Sequence, residues 1–279
     1  MAQALVGVFD SGIGGLSVAR EIKQLLPDVA ICYVADSEFA PYGDKSPEQV
    51  VQRCELICEF LLAQGVDAIA IACNTATVHH IEHLRQRFNV PFIGVEPGIK
   101  PAVAASINKR IGVLATRQTA ASRNLLEHVR KYEAEADIFI QPCPGLAESV
   151  EKLDLAPVAL LQQYLAPLVE KGIDQLVLGC THYRFLEDAI RSITQVEIVD
   201  TASAVAKQVQ RILLVLDKPT ESNFEDRTQD RFYTTGGLSE FSHQLSALWP
   251  DTQYQSLSCR LTPYSVPSIK PNLSEKLAS

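Results

Sequence analysis

Two cysteines follow apolar runs typical of buried strands, and each is followed by small polar residues. These are Cys73 and Cys180. In open parallel sheets, ligands bind outside the carboxyl ends of the strands, so two facing halves would place both thiols across one cavity. One thiolate and one thiol on opposite faces of a tetrahedral carbon could remove a proton from one face and return a proton to the other. A buried cysteine is more often a packing residue, and that alternative stays open on spacing alone.

Polar residues beside the two cysteines could tune the thiols and bind an anionic substrate. A thiol has an ordinary pKa of about 8.5, so a cysteine base needs a cationic neighbour or a helix N-terminus. His182 lies two residues after Cys180 and could exchange a proton with it. Asp10, at the end of the first predicted strand, could act near Cys73 or hold an ammonium group. Helix starts after both cysteines favour carboxylate binding. Donors for such carboxylates are Ser11, Asn74, Thr75 and Thr181.

Short apolar, often β-branched runs alternate with amphipathic helical runs along the chain. This alternation predicts an α/β fold with mostly parallel sheets flanked by helices. Strands are predicted at residues 5–9, 31–35, 67–72, 92–95, 110–115, 138–141, 175–178, 196–199 and 232–235. Helices are predicted at residues 16–26, 48–62, 77–88, 118–132, 157–171, 185–193, 202–216 and 238–248, with another from about residue 97.

A loose internal repeat divides the predicted elements into two similar domains. Asp10 and Cys73 are 63 positions apart, and Thr116 and Cys180 are 64 positions apart. We therefore predict two domains with the active site in the cleft between them. The first comprises residues 1–96 together with about 207–255, and the second comprises residues 97–206. Residues 217–231 are predicted to be a linker, and residues 256–279, rich in Ser and Pro, a poorly ordered tail.

Composition favours a globular cytoplasmic protein. Of 279 residues, 47% are hydrophobic, which is enough for a packed core. The net charge is −8 with no basic run, so no direct nucleic-acid partner is expected. We find no secretory signal at the start, and no apolar run approaches the roughly 20 residues of a membrane span. The seven cysteines are expected to be reduced.

Three further motifs suggest cofactor, metal or acyl-transfer chemistry but are incomplete. Residues 12–15 open a helix like a dinucleotide loop, but Ser17 replaces the third glycine, so a tight turn is the simpler interpretation. Residues 79–83 fit the H-x-x-E-H zinc pattern without an evident third ligand. Residues 149–152 fit S-x-x-K without its companion motifs. These motifs therefore predict neither a nucleotide cofactor nor a zinc site.

Four segments together resemble glutamate racemases, within the aspartate/glutamate racemase superfamily. They are residues 8–18 (V-F-D-S-G-I-G-G-L-S-V), 41–43 (P-Y-G), 72–76 (A-C-N-T-A) and 178–183 (L-G-C-T-H-Y). The resemblance covers about residues 5–215, with a fainter echo at 234–236. It implies a two-domain, homodimeric enzyme that is independent of PLP and metal. Such an enzyme supplies D-glutamate for peptidoglycan, and so serves cell wall biogenesis and cell shape.

The resemblance also assigns roles by position. Cys73 and Cys180 match the acid/base pair, and Asp10 and His182 match the assisting residues. The family has a helper glutamate eight residues after a Cys-Pro pair, which corresponds here to Glu151. Glu148 competes for that role, because residues 145–148 depart from the family's more apolar pattern. The matching substrate-binding positions are Asp10, Ser11, Tyr42, Gly43, Asn74, Thr75, Thr116, Thr119, Thr181 and His182.

Two rival functions stay open at this point. The first is an aspartate, hydantoin or related racemase, although His182 favours glutamate because aspartate racemases carry an acidic residue there. The second is a non-catalytic carboxylate-binding or regulatory protein on the same scaffold. The intact cysteine pair disfavours this second alternative.

Overall fold

The computed structural model describes residues 4–216, 228–249 and 254–261. Every strand pairing in it is parallel, and helices follow the strands as the sequence predicts. The strands are β1 (Leu5–Asp10), β2 (Ala30–Ala35), β3 (Ala68–Ile71), β4 (Phe92–Gly94), β5 (Arg110–Ala115), β6 (Asp137–Pro142), β7 (Gln175–Gly179), β8 (Glu197–Val199), β9 (Asp230–Thr234) and β10 (Tyr254–Ser258). The helices are α1 (Leu16–Leu25), α2 (Pro47–Ala63), α3 (Asn74–Arg87), α4 (Ile99–Ala105), α5 (Arg117–Ala121), α6 (Arg123–Arg130), α7 (Leu146–Glu151), α8 (Val158–Glu170), α9 (Glu187–Ile193), α10 (Ala202–Val215) and α11 (Leu238–Leu248).

The strands form two sheets that share one topology. One has the order β10-β9-β2-β1-β3-β4, and the other has the order β6-β5-β7-β8. The series β2-β1-β3-β4 and β6-β5-β7-β8 are equivalent, so the internal repeat is confirmed at the level of strand order. Cys73 follows β3 and Cys180 follows β7 by one or two residues, so the two thiols occupy equivalent places in the two sheets.

Burial explains why the central strands read as continuous apolar runs. All six residues of β1 and all six of β2 are buried, as expected for parallel strands covered on both faces. One cluster of buried side chains includes Val8 of β1, Leu114 of β5 and Leu178 of β7, so the two sheets share packed contacts. Helix α10 follows β8 and packs against α1, β3 and β4, which returns the chain to the first sheet. The division into two domains at residues 97 and 207 stays a prediction.

The predicted helix over residues 118–132 is wrong, because the structure has two helices there. Ser122 has an extended backbone between α5 and α6. Its hydroxyl donates to the Thr119 carbonyl at 2.8 Å and accepts from the Leu125 N–H at 3.2 Å. A serine that satisfies the end of one helix and the start of the next favours a break over a continuous helix. Helix α7 was not predicted at all, since it is only six residues long.

The C-terminal expectations are partly corrected. Residues 256–258 were assigned to a poorly ordered tail, but they belong to β10, which pairs in parallel with β9 along its whole length. Strand β9 begins at Asp230, inside the predicted linker. Strand β10 and the start of β9 both depend on backbone pairing with a neighbouring strand, which the composition of a single sequence does not reveal. The remaining tail residues 262–279 and linker residues 217–227 lie outside the described residues.

Within the described part of the chain, no helix is both long enough and apolar enough to cross a bilayer.

Candidate active site

A cavity of about 580 Å³ lies at the carboxyl ends of the strands and receives residues from both sheets. Its volume is in the range of small-molecule sites. Both Cys73 and Cys180 line it, although each side chain is largely buried. The other predicted residues that line it are Asp10, Ser11, Tyr42, Gly43, Asn74, Thr75, Thr116, Glu148, Glu151, Thr181 and His182. The cavity therefore brings together nearly all of the residues selected from the sequence.

Cys73 lies at the start of α3 in an acidic and buried setting. Its Sγ is 3.9 Å from the Ser11 hydroxyl, to which the thiol donates. Burial and the nearby Asp10 carboxylate raise the pKa of the Cys73 thiol well above its usual value, while the Ala76 N–H at the helix start opposes them. Cys73 is therefore a protonated thiol at neutral pH.

Cys180 lies beside a histidine that is itself paired with a carboxylate. The Cys180 Sγ is 3.6 Å from His182 Nδ1, and His182 Nε2 is 2.7 Å from Glu151 Oε1. Burial alone lowers the pKa of His182, but Cys180 and Glu151 outweigh it and raise this pKa well above its ordinary value. The imidazole lies between a sulfur and a carboxylate, an arrangement that favours its cationic form.

Asp10 is fully buried at the end of β1 and is held from both halves of the chain. Its Oδ1 accepts from the Ser11 N–H at 2.7 Å and from the Ser11 hydroxyl at 3.3 Å. Its Oδ2 accepts from the Thr181 hydroxyl at 2.9 Å. The carboxylate is thus fixed near Cys73 by a donor that comes from the other sheet's cysteine loop.

Three threonine hydroxyls form a second bridge between the halves. Thr75 Oγ1 lies 3.2 Å from Thr119 Oγ1 and 3.4 Å from Thr116 Oγ1, and Thr116 and Thr119 are 3.0 Å apart. Thr116 also caps α5, because its hydroxyl accepts from the Thr119 N–H. Thr75 and Thr116 reach the cavity wall, while Thr119 is buried behind them.

The loop that carries Tyr42 and Gly43 is anchored by Asp36, a residue that the sequence reasoning missed. Tyr42 donates its hydroxyl to Asp36 Oδ2 at 2.8 Å, and Arg53 Nε donates to the same oxygen at 3.0 Å. Thr235 donates to Asp36 Oδ1 at 2.8 Å, which involves the faint 234–236 motif. The available signal was position, because Asp36 follows β2 as Asp10 ends β1.

The structure separates the two candidate helper glutamates. Both lie on α7 and line the cavity, but the hydrogen bond to His182 comes from Glu151. The Glu151 Oε1 also accepts from the Ile13 N–H at 2.9 Å. Gln244 of α11 was also missed, and it donates to the Glu151 carbonyl at 2.6 Å.

The rejected motifs find ordinary contacts elsewhere. His83 of the H-x-x-E-H pattern pairs with Glu55 of α2 on the surface, at 2.6 Å. Over residues 4–216, 228–249 and 254–261, no group of three or more His, Cys, Asp or Glu side chains is arranged to hold a metal ion.

The chain is similar in sequence to known amino-acid racemases. A family model described as Asp/Glu/hydantoin racemase matches residues 6–209. A glutamate racemase of Ectopseudomonas mendocina is 44% identical over 257 residues, covering 88% of this chain and 95% of its own. One from Cupriavidus pinatubonensis is 45% identical over 267 residues, covering 93% and 97%.

Solved structures give the same result at the level of the fold. The glutamate racemase RacE1 of Bacillus anthracis superposes with a TM-score of 0.81 at 32% identity, covering 92% of this chain and 98% of that one. The Escherichia coli glutamate racemase, solved with L-glutamate and the activator UDP-MurNAc-Ala, superposes with a TM-score of 0.82 at 28% identity, with the same coverage.

The fold and the shared cavity thus define an isomerase of the amino-acid racemase class. Within that class, the chain belongs to the Asp/Glu/hydantoin racemase family.

Proposed function

We propose that this racemase interconverts L- and D-glutamate by a two-base mechanism, with Cys73 and Cys180 on opposite faces of the substrate carbon. The supporting observation is that the two thiols line one cavity from equivalent positions of the two sheets. The choice of glutamate is supported by the names of relatives that are 44% and 45% identical over most of the chain.

The electrostatics suggest which cysteine begins as the base. Cys180 is assigned as the initial base because its Sγ lies 3.6 Å from His182 Nδ1, and Cys73 as the initial acid because its buried, acidic setting raises the pKa of its thiol. The Cys180 thiolate removes the α-proton of the enantiomer whose C–H bond faces it, and the Cys73 thiol donates its proton to the opposite face. The products are the mirror-image amino acid, a Cys180 thiol and a Cys73 thiolate. Reaction of the other enantiomer reverses both transfers.

Substrate binding is expected to use the polar groups left around the thiols. Asn74 Oδ1 is buried without a hydrogen-bond partner in the protein, so it is available to accept from the substrate ammonium group, together with Asp10. The start of α3 and the hydroxyls of Thr75 and Thr116 face the same cavity and suit carboxylates.

The test is a circular-dichroism racemisation assay on L-glutamate without PLP and with a chelator. The parent should racemise glutamate, and Cys73→Ala and Cys180→Ala should each lose racemisation by at least roughly 10²- to 10⁴-fold, the usual contribution of a general acid or base. Cys58→Ala is the matched control, because Cys58 is buried on α2 away from the cavity. That variant should keep its activity when folded.

Three outcomes would contradict the proposal. Parent-like racemisation by either active-site cysteine variant would exclude the two-base mechanism. Racemisation of aspartate in preference to glutamate would assign aspartate as the substrate. Tight glutamate binding with no racemisation and no incorporation of solvent deuterium at Cα of glutamate would favour the non-catalytic alternative.

A role in supplying D-glutamate for peptidoglycan, a cytoplasmic location and a homodimeric state are proposed on the family resemblance alone. Sedimentation analysis of the full chain tests the homodimer. Growth of a depleted host with and without added D-glutamate tests the metabolic role.

A further inference from the structure

The glycine-rich turn after β1 contacts the acid/base residues contributed by the second sheet. A Cβ built at Gly12 would lie 1.8 Å from Glu151 Oε1 and 2.7 Å from Glu151 Cδ. A Cβ built at Gly14 would lie 2.3 Å from His182 Nδ1. All three distances are far below van der Waals contact. The space beside these two glycines is therefore occupied by Glu151 and His182, the hydrogen-bonded pair next to Cys180.

The residue between the two glycines makes a direct bond to the same pair. The Ile13 N–H donates to Glu151 Oε1 at 2.9 Å, and this oxygen is also 2.7 Å from His182 Nε2. Gly12 and Ile13 thus lie against Glu151, and Gly14 lies against His182. The turn holds the carboxylate oxygen at the point where it meets the imidazole.

Backbone conformation does not explain the two glycines. Among the described glycines, positive φ angles occur at Gly65, Gly145 and Gly172. Gly12 and Gly14 lie outside this left-handed region, so their backbone does not require glycine. Gly15 differs again, since a Cβ there would meet Asp10, Tyr33 and Ala72 of its own half at 2.7–2.9 Å. Gly15 serves local packing, whereas Gly12 and Gly14 leave room for residues of the other half.

We propose that Gly12 and Gly14 are positioning residues, which hold the Glu151–His182 pair against Cys180 by leaving space that a side chain would fill. This inference rests on the proposed function, because the positioned pair is the one that activates the Cys180 base. It also assigns a different role to residues 12–15, the motif that resembles a dinucleotide loop. The turn accepts a protein carboxylate in place of a phosphate.

The testing variant is Gly12→Ala. The colliding atoms are the far end of the Glu151 side chain, which is 23% exposed and can swing away, so the variant is expected to fold. The swing breaks the contact with His182. We expect kcat/KM to fall roughly 10- to 100-fold, the equivalent of one charge-assisted hydrogen bond. We also expect the pKa of His182 to fall, because the carboxylate that helps to raise it has moved.

A double-mutant cycle with Glu151→Ala separates positioning from simple damage to the turn. The three heavy atoms nearest to a Cβ at Gly12 all belong to the Glu151 carboxylate, so Gly12→Ala should cost little more when that carboxylate is removed. Glu148→Ala is the matched control, since Glu148 lies on the same helix and lines the same cavity, whereas the three atoms nearest to a Cβ at Gly12 all belong to Glu151. In the Glu148→Ala background the cost of the Gly12 change should be undiminished.

The second readout is an NMR titration of the His182 ring, assigned among the six histidines with His182→Gln. An equal loss from Gly12→Ala with and without Glu151 would overturn the proposal, and so would an unchanged His182 pKa in Gly12→Ala. If the parent failed to racemise glutamate, the proposed function would fall. The titration would then decide the positioning role by itself.

Discussion

Glu151→Gln removes the negative charge beside His182 while keeping the size of the side chain. Glu151 Oε1 accepts from the Ile13 N–H at 2.9 Å and contacts His182 Nε2 at 2.7 Å. An amide oxygen can still accept both bonds, so the geometry should survive. The substitution therefore isolates the charge that helps to hold the imidazole in its cationic form.

The magnitude follows from the strength of the bond that is changed. A hydrogen bond to a charged group contributes about 1.5–3 kcal/mol, and a neutral one about 0.5–1.5 kcal/mol. The difference of about 1–1.5 kcal/mol corresponds to a roughly 5- to 12-fold loss of kcat/KM. The pKa of His182 should also fall, since Glu151 is among the groups that raise it. His182 then loses its proton at lower pH, so the alkaline limb of the pH–rate profile should shift to lower pH.

The assay is kcat/KM for glutamate as a function of pH, followed by circular dichroism from both enantiomers. The enantiomers have equal free energy in water, so the Haldane relation requires kcat/KM to be equal in the two directions, which checks the data internally. Glu148→Gln is the control on the same helix, and its alkaline limb should match that of the parent. An unmoved limb and an unchanged kcat/KM in Glu151→Gln would refute the reasoning, and a loss in Glu148→Gln alone would assign the helper role to Glu148.

Two further predictions concern Asp36, which anchors the loop that carries Tyr42 and Gly43, and the pH dependence of stability. Asp36→Asn should raise KM more than it lowers kcat, because the loop that carries Tyr42 loses its hydrogen bond to the Asp36 carboxylate. The same change should lower the free energy of unfolding by about 1–3 kcal/mol, since the Arg53 partner is partly exposed. Steady-state kinetics and urea unfolding measure the two effects, and an unchanged KM would contradict the anchoring role. The raised pKa of His182 implies stability that is fully present below its unfolded value of about 6.5 and is lost as pH rises through its folded value. The difference in urea midpoint between the parent and His182→Gln should therefore be larger at pH 6 than at pH 9, with the parent more stable. A difference that grows as the pH rises would contradict this prediction.

Much of the fold could be predicted because the signals are local. The apolar runs of β1 and β7 are wholly buried strands, and their lengths and flanking turns are visible in the chain. The order of motifs gave the repeat, which the two sheets confirm. The break at Ser122 and the strand β10 were missed, because a helix break and an edge pairing depend on which partner groups are nearby.

The sequence by itself determined the composition of the site: two thiols at strand ends, the histidine two residues after one of them, and the hydroxyls around both. Only the tertiary structure decided which distant groups complete it. Glu151 meets Ile13 across 138 positions, and Thr181 meets Asp10 across 171. The contact of Gln244 with Glu151 and the space beside Gly12 likewise could not be predicted from the chain. Hydrogen bonds and steric exclusion act over a few ångströms in space, and spacing along a chain reports such distances only within one element and its adjoining turn.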